Sequence, residues 1–148
     1  MRKRLLLLLA AALIIAIILL YPSVGCKVSG DQVKASQVKP FVIPVLEGYA
    51  IGFTFNMTNL GNCEVTAESI HIHLRTAIYP DGNVTAVNEN YNQALYTSLA
   101  AGQTKMLSYT FDSYEPYRPS KLDLKIEVSF GDAGSVTVFD GEMDIPKE

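Results

Sequence analysis

The sequence predicts an all-β antiparallel sandwich of about seven or eight strands in two sheets, preceded by one N-terminal hydrophobic helix. Three observations support this architecture. The chain begins with a long apolar run, two later segments alternate apolar and polar residues, and turn-forming residues recur about every 8–12 positions. We therefore divide the chain into an anchor at residues 1–26, a juxtamembrane connector at residues 27–40 and a β-sandwich at residues 41–148.

The anchor consists of basic residues followed by an uninterrupted apolar run. Residues 2–4 read Arg-Lys-Arg, residues 5–20 are all Leu, Ala or Ile, and the next charged residue is Lys27. Because a helix rises about 1.5 Å per residue, residues 5–26 are long enough for the ~30 Å hydrocarbon core of a membrane. Basic residues stay on the cytoplasmic side, so the rest of the chain is predicted to be extracytoplasmic.

Two other interpretations of this segment remain open, a cleaved secretory signal and a lipoprotein signal that leaves Cys26 as a lipidated first residue. Ser23 and Gly25 are small residues before Cys26, but a lipoprotein signal carries a branched aliphatic residue where Ser23 stands. Tyr21 followed by Pro22 suits an interfacial aromatic residue and a helix stop. We predict a retained single-pass helix in the cell membrane, with a lipid anchor and secretion as alternatives.

Charge limits the partners of the exported part. The chain carries 12 Lys and Arg against 15 Asp and Glu, so without the three basic residues of the anchor 9 cations face 15 carboxylates, a formal charge of −6. This balance disfavours nucleic acid as a partner. It also keeps an exported domain soluble.

The two cysteines, Cys26 and Cys63, are the whole thiol inventory. In an oxidising compartment they could pair and tie the juxtamembrane segment to the sheet. A lipid on Cys26 would exclude that bond. Two unpaired thiols, with Cys63 packed as a small hydrophobic residue, are the remaining alternative.

Two segments give the clearest strand signals, residues 49–57 and residues 121–130. Each alternates apolar residues with small, polar or charged ones, so one face of each strand is predicted to cover the core. The predicted inward residues are Tyr49, Ile51, Phe53, Phe55, Met57, Leu122, Leu124, Ile126, Val128 and Phe130. The outward residues of the second segment are largely charged.

The other strands are predicted from shorter patterns and from the turns between them. The full predicted set is residues 41–43, 49–57, 65–74, 84–87, 95–99, 107–111, 121–130 and 136–145. Residues 41–43 lie between prolines and suit an edge strand. The apolar phase changes at Glu68 and Ser69, which indicates a bulge or a break. Residues 88–92 are predicted as a polar loop.

Several of these patterns resemble known sandwich families. Residues 56–62 read Asn-Met-Thr-Asn-Leu-Gly-Asn, residues 70–74 read Ile-x-Ile-x-Leu, and residues 98–104 read Ser-Leu-Ala-Ala-Gly-Gln-Thr before another strand. In these features the chain resembles immunoglobulin-like domains of the CARDB type. It is also similar to the late-embryogenesis-abundant group 2, or WHy, sandwiches, which share the Asn-rich turn. Both resemblances imply an immunoglobulin-like sandwich that binds or supports other molecules and has no catalytic residues.

His71 and His73 are the candidate metal ligands, because residues two apart on a strand share one face. No further ligand cluster accompanies them, and they alternate with apolar residues, which favours a solvated outer face. We predict no catalytic residue and no cofactor. A metal-binding protein or enzyme that uses His71 and His73 is the alternative function.

Other candidate sites concern modification and recognition. Asn56 and Asn83 each begin an Asn-x-Thr acceptor for N-glycosylation, and Asn83 lies in a predicted turn. Tyr114, Tyr117 and Arg118 lie in one loop and belong to the residue types that dominate interface hot spots. We predict an interaction loop there, with ordinary loop packing as the alternative explanation.

An export anchor followed by a sandwich without catalytic motifs predicts a non-catalytic, membrane-anchored module of the cell envelope. We expect it to bind a protein partner, for example as an accessory subunit of a membrane complex. A pilus-like fibre subunit that exchanges a strand with its neighbour is a further alternative.

Overall fold

The computed structural model describes residues 28–46, 48–113 and 118–147, with side chains described at all of these except residues 111–113. This part of the chain forms seven strands and two short 3₁₀ turns, at Gly30–Gln32 and Gly131–Ala133. The strands are β1 (Val33–Val45), β2 (Gly48–Asn59), β3 (Val65–Ile78), β4 (Val84–Leu99), β5 (Thr104–Ser113), β6 (Lys121–Ser129) and β7 (Ser135–Asp144).

The strands form two antiparallel sheets, which confirms the prediction of an all-β fold. One sheet has the order β1-β2-β5 and the other the order β4-β3-β6-β7. The predicted anchor and its helix, residues 1–26, lie outside the described residues. Within the described ranges, no helix is long and apolar enough to cross a membrane.

The inner faces of the two sheets enclose one apolar core. Alternate residues of β2 from Ile51 to Met57 are at most 1% exposed, as are alternate residues of β6 from Leu122 to Val128. Both sets belong to the same buried cluster, which confirms the two strongest strand predictions. Because burying one such side chain stabilises a fold by about 1.5–3 kcal/mol, these positions dominate the stability of the sandwich.

The phase change predicted in β3 coincides with a bulge between β3 and β4. Val65 and Ala67 are buried before it, and Ile70 is buried after it. The register between β3 and β4 shifts between Ala67 and Ser69. Between these pairs β4 advances three residues, from Thr97 to Ala94, while β3 advances two, so the extra residue of the bulge belongs to β4.

The predicted polar loop at residues 88–92 is wrong. β4 runs without interruption from Val84 to Leu99. It lies at the edge of its sheet and is exposed over most of its length, so main-chain pairing with β3 forms the strand without any apolar alternation. Asn88 and Tyr96 have positive φ angles of 51° and 46° and lie where the register with β3 shifts.

β1 begins earlier than predicted, inside the segment assigned to a connector at residues 27–40. Val33 is only 3% exposed and pairs with β2, so the polar stretch after it belongs to the sheet. The register shifts near Gln37, whose φ angle is 56°. Pro40 and Pro44 lie in the second half of β1, where an edge strand tolerates them.

The strand directions give the sandwich two ends. We call one the entry end, because the described chain begins there; it includes Val28 and the turns at residues 59–64, 100–103 and 131–134. We call the other the far end; it includes Val45, Leu46 and Gly48, the turn at residues 79–83, residues 118–120 and residues 145–147. Every strand runs between these ends.

Candidate interaction surfaces

The turn between β1 and β2 is an exposed apolar tip at the far end. Leu46 is fully exposed, and Ile43 and Val45 are more than 40% exposed. We call these three residues the hairpin tip. Apolar side chains grouped on a surface, rather than scattered singly, are typical of binding sites.

Arg118 lies beside the hairpin tip and is positioned by an aromatic ring. Its guanidinium carbon is 5.9 Å from the centroid of the Tyr49 ring, at the start of β2. This distance is within the range of a cation–π contact. Tyr114 and Tyr117 lie outside the described residues. Arg118 is the one residue of the predicted interaction loop that the structure describes, so the loop as a whole stays a prediction.

Two adjoining cavities lie at the far end. Their volumes are about 840 Å³ and 230 Å³, and both are lined by Arg118, Pro146 and Lys147. Within the larger cavity, Lys121 Nζ lies 3.6 Å from Asp144 Oδ1. Proline rings fix part of the walls, and the larger volume suits a small molecule or a few side chains of a partner.

His71 and His73 lie on the outer face of the four-stranded sheet and are hydrogen-bonded. His71 Nδ1 is 2.5 Å from Asn92 Oδ1, and His71 Nε2 is 2.9 Å from Ser69 Oγ. His73 Nε2 is 3.0 Å from Asn88 Oδ1. Among the residues that the structure describes, no group of three or more His, Cys, Asp or Glu side chains is arranged to hold a metal ion.

The same outer face carries a network of charges around Arg75. Its Nε and Nη2 atoms donate to the two carboxylate oxygens of Asp123 at 3.0 and 2.5 Å, and its Nη1 donates to Asp140 at 2.8 Å. These bonds, the one to Asp123 first, raise the pKa of the Arg75 guanidinium above its ordinary value. The network links β3, β6 and β7 across a solvated surface.

The two glycosylation acceptors differ in accessibility. Asn83 is exposed in a turn, where its main-chain N–H donates to Asp81 Oδ1 at 3.0 Å. Asn56 is half-buried within β2, and its Nδ2 donates to Gln37 Oε1 at 3.0 Å. Asn83 is therefore the better placed of the two for modification.

Asn59 stabilises the fold, although the sequence predicts it only as part of an Asn-rich turn. It is fully buried, and its Nδ2 lies 2.6, 3.0 and 3.2 Å from the carbonyl oxygens of Cys63, Leu99 and Ala100. Its Oδ1 accepts from the N–H of Gly61 at 2.9 Å. Asn59 thereby joins two turns at the entry end. The sequence does contain a sign of this burial, because position 59 continues the alternation that places every second residue of β2 in the core.

Cys63 lies in the turn after Asn59 and is 4% exposed. It is disulfide-bonded, so it is not the free, small hydrophobic residue of the alternative interpretation. Cys26, the predicted partner and the only other cysteine of the chain, lies outside the described residues.

No family model and no curated protein match this chain. Among solved structures, it is similar to a Northeast Structural Genomics Consortium target, with a TM-score of 0.50 and 10% identity over 80% of this chain and 89% of that one. A structure described as ApaA from Bordetella pertussis has a TM-score of 0.48 and 16% identity, over 78% of this chain and 95% of that one.

A third similar structure is the alkylpurine DNA glycosylase AlkC of Pseudomonas fluorescens, bound to DNA that contains an abasic-site analog. Its TM-score is 0.45 and its identity 14%, over 78% of this chain but only 31% of the glycosylase chain. At such identities, the likeness to the consortium target concerns the fold alone. The resemblance to CARDB and WHy sandwiches stays a prediction.

Proposed function

We propose that this protein is a non-catalytic, membrane-anchored module of the cell envelope whose far end binds a protein partner outside the cytoplasm. The observation that carries the proposal is the opposition of the two ends. The chain leads from the predicted anchor into the entry end, whereas the hairpin tip, Arg118 and the cavities lie at the far end. A strand the length of β2, 12 residues, spans about 40 Å, which holds the far end well above the membrane.

The immunoglobulin-like character of the sandwich is part of this proposal. In an immunoglobulin-type domain the first, second and fifth strands share one sheet, and the third, sixth and seventh share the other. The two sheets here have the same membership, with β4 placed beside β3. In such domains binding residues are often carried by the loops at one end, while the sheets supply a rigid support.

The disulfide at Cys63 supports the extracytoplasmic location, because disulfides persist in oxidising compartments. The chain contains one other cysteine, Cys26. A lipid on Cys26 would exclude a bond between Cys26 and Cys63. Pairing of these two cysteines is therefore part of the proposal of a retained helix rather than a lipid anchor.

Intact mass spectrometry of the membrane fraction tests the anchor. We expect a chain that begins near Met1, contains a disulfide and remains in the membrane after Cys26→Ser, because apolar burial holds the helix there. A species that begins at Cys26 with added acyl mass would overturn the retained helix. A soluble species that begins at Cys26 without acyl mass would overturn both anchors.

Photo-crosslinking in intact cells tests the far end. A photoreactive residue at Leu46, in the hairpin tip, is expected to give an adduct with a partner polypeptide. Leu60 is the matched control, because it is also an exposed leucine but lies at the entry end. Adducts at Leu60 and none at Leu46 would contradict the proposal.

Two measurements separate the alternative functions. Stoichiometric zinc or copper in the purified protein, lost in the His71→Ala, His73→Ala double variant, would favour the metal-binding alternative. Concentration-dependent polymers of the detergent-solubilised chain in size-exclusion chromatography would favour the fibre subunit.

A further inference from the structure

The four edge strands of the two sheets are not equivalent. β1 and β7 are edge strands of different sheets and contact each other, so they close one long side of the sandwich. β4 and β5 are the edges on the other long side, and they contact each other only sparsely. Within the part of the chain that the structure describes, the main-chain groups on this second side are the ones open to further pairing.

The edges of β1 and β7 carry features that discourage the addition of another strand. β1 contains Pro40 and Pro44 and a register shift near Gln37. β7 contains a register shift beside Phe139 and a carboxylate at Asp140, with further acidic residues after it. Prolines, bulges and charges are the common means by which proteins protect an edge.

Irregular backbone geometry protects the edge of β4 against the addition of another strand. Its register with β3 shifts twice, and at these shifts Asn88 and Tyr96 have positive φ angles although neither is glycine. Bulges of this kind twist an edge strand and interrupt its row of free hydrogen-bonding groups. A partner strand would therefore find no long regular template on β4.

Among the described residues, β5 carries none of these protective features. Its register with β2 runs from Thr104 to Ser113 without a shift, and it contains no proline and no residue with positive φ. Its charged residues are Lys105 and Asp112, one near each end. Lys105 Nζ donates to the carbonyl oxygen of Ser98 at 2.6 Å, so this ammonium is directed to β4 at the beginning of the strand.

The hydrogen-bond alternation identifies the groups that face the open edge. The N–H of Asn59 donates to the carbonyl oxygen of Gln103 at 2.9 Å. In an antiparallel pair every second residue bonds to the same neighbour, so the N–H and C=O groups of Met106, Ser108 and Thr110 point away from β2. The side chains of these three residues are exposed and uncharged.

We propose that the free edge of β5 binds an extended segment of the partner protein, which adds to the three-stranded sheet as a fourth strand. This inference rests on the proposed function and names how the partner is held. Main-chain hydrogen bonds supply affinity in such strand addition, and exposed side chains beside the new strand supply specificity. Because the central part of the edge is uncharged, the added segment is expected to face it with uncharged side chains.

The position of the anchor favours a different polypeptide over a second copy. Two β5 strands paired antiparallel about a two-fold axis would direct the two entry ends in opposite directions. Two chains anchored in one membrane cannot adopt that arrangement. β5 also ends at Ser113, at the far end, so a partner at the hairpin tip can continue along this edge.

Ser108→Pro is the decisive variant, with Ser108→Ala as its matched control. Proline removes the N–H that faces the open edge but leaves the β2 ladder intact, so the domain is expected to fold with nearly its original melting temperature. Alanine keeps the N–H. The probe is a photoreactive residue at Met106 of the full chain in native membranes.

We expect the parent chain and Ser108→Ala to form one adduct with a different polypeptide. In Ser108→Pro the yield of this adduct should fall about tenfold or more, which corresponds to a loss of at least ~1.4 kcal/mol in binding free energy. An equal yield in Ser108→Pro, or no adduct at Met106, would overturn the proposal. An adduct between two copies of the chain would overturn the choice of partner. If Ser108→Pro fails to fold, Ser108→Lys replaces it, because a charge on an edge also opposes strand addition.

The adduct at Leu46 distinguishes failure of this inference from failure of the proposed function. If the Leu46 adduct persists while Ser108→Pro has no effect at Met106, the module binds a partner by another surface. If no adduct forms from either position, both proposals fail.

Discussion

The two sheets have similar inner faces and different outer faces. The inward residues from Ile51 to Met57 in β2 and from Leu122 to Val128 in β6 are apolar and at most 1% exposed. The outward residues of β6 are charged at four successive outward positions: Lys121, Asp123, Lys125 and Glu127. β2 contains no charged residue at all, so its outward residues are small or uncharged.

This difference indicates different surroundings for the two outer faces. The four-stranded sheet pairs its charges across strands, as between Arg75 and Asp123, and such a face suits contact with water. If another protein covered β2 on the outer face of the three-stranded sheet, no charged side chain of β2 would have to give up its hydration. The open edge of this sheet at β5 lies beside the uncharged outward residues of β2.

Substitutions in the core should show that the two inner faces are equivalent. We expect Phe53→Ala in β2 and Ile126→Ala in β6 each to lower the free energy of unfolding by about 2–5 kcal/mol, because each leaves a cavity. Chemical denaturation of the full chain in detergent measures this loss. The outward neighbours Thr54 and Lys125 are the controls, and their alanine variants should stay within about 0.5 kcal/mol of the parent. Equal losses within each pair would contradict the observed register.

Asparagines of β2 should show how the two faces of one strand differ. Asn59→Ala is expected to lower the free energy of unfolding by about 1–3 kcal/mol, because it leaves buried carbonyl oxygens without their donor. Asn56 lies three residues earlier on the outer face and has one side-chain bond, to Gln37. Asn56→Ala should therefore cost less, under about 1 kcal/mol. The reverse order in the same unfolding measurement would argue against the assigned faces.

Gly52 tests the close packing on the outer face of the three-stranded sheet. A Cβ atom at this position would collide with the Phe41 ring and lie 2.7 Å from the carbonyl oxygen of Tyr109. Gly52→Ala is expected to lower the free energy of unfolding by about 1–2 kcal/mol. In the Phe41→Ala background the same change should cost less, because one of the two collisions is gone. A strictly additive double variant would show that the ring does not contribute.

Arg75 tests the charged outer face, where the smallest effect is expected. Arg75→Ala should lower the melting temperature slightly in low salt, and the difference should shrink near 1 M salt, where the screening length is about 3 Å. Arg75→Lys should recover only part of the loss, because lysine cannot form the two parallel bonds to Asp123. A loss independent of salt would mean that Arg75 acts by packing rather than by charge.

The sequence by itself determined the features that depend on residues adjacent along the chain. The alternation in β2 and β6 predicted their buried faces, because side chains of a strand alternate whatever the strand pairs with. The phase change at Glu68 and Ser69 predicted an irregularity in pairing, and the register between β3 and β4 shifts there. The two histidines of β3 were predicted to share its outer face, and they do.

Only the tertiary structure decided the features that depend on which strands become neighbours. The polar residues 88–92 form part of a strand because β3 supplies their main-chain partners, and no local pattern reports this. Asn59 finds its acceptors about forty positions along the chain, at Leu99 and Ala100. The open edge of β5 likewise follows from the strand order, since an edge is defined by a missing neighbour and not by the residues of the strand itself.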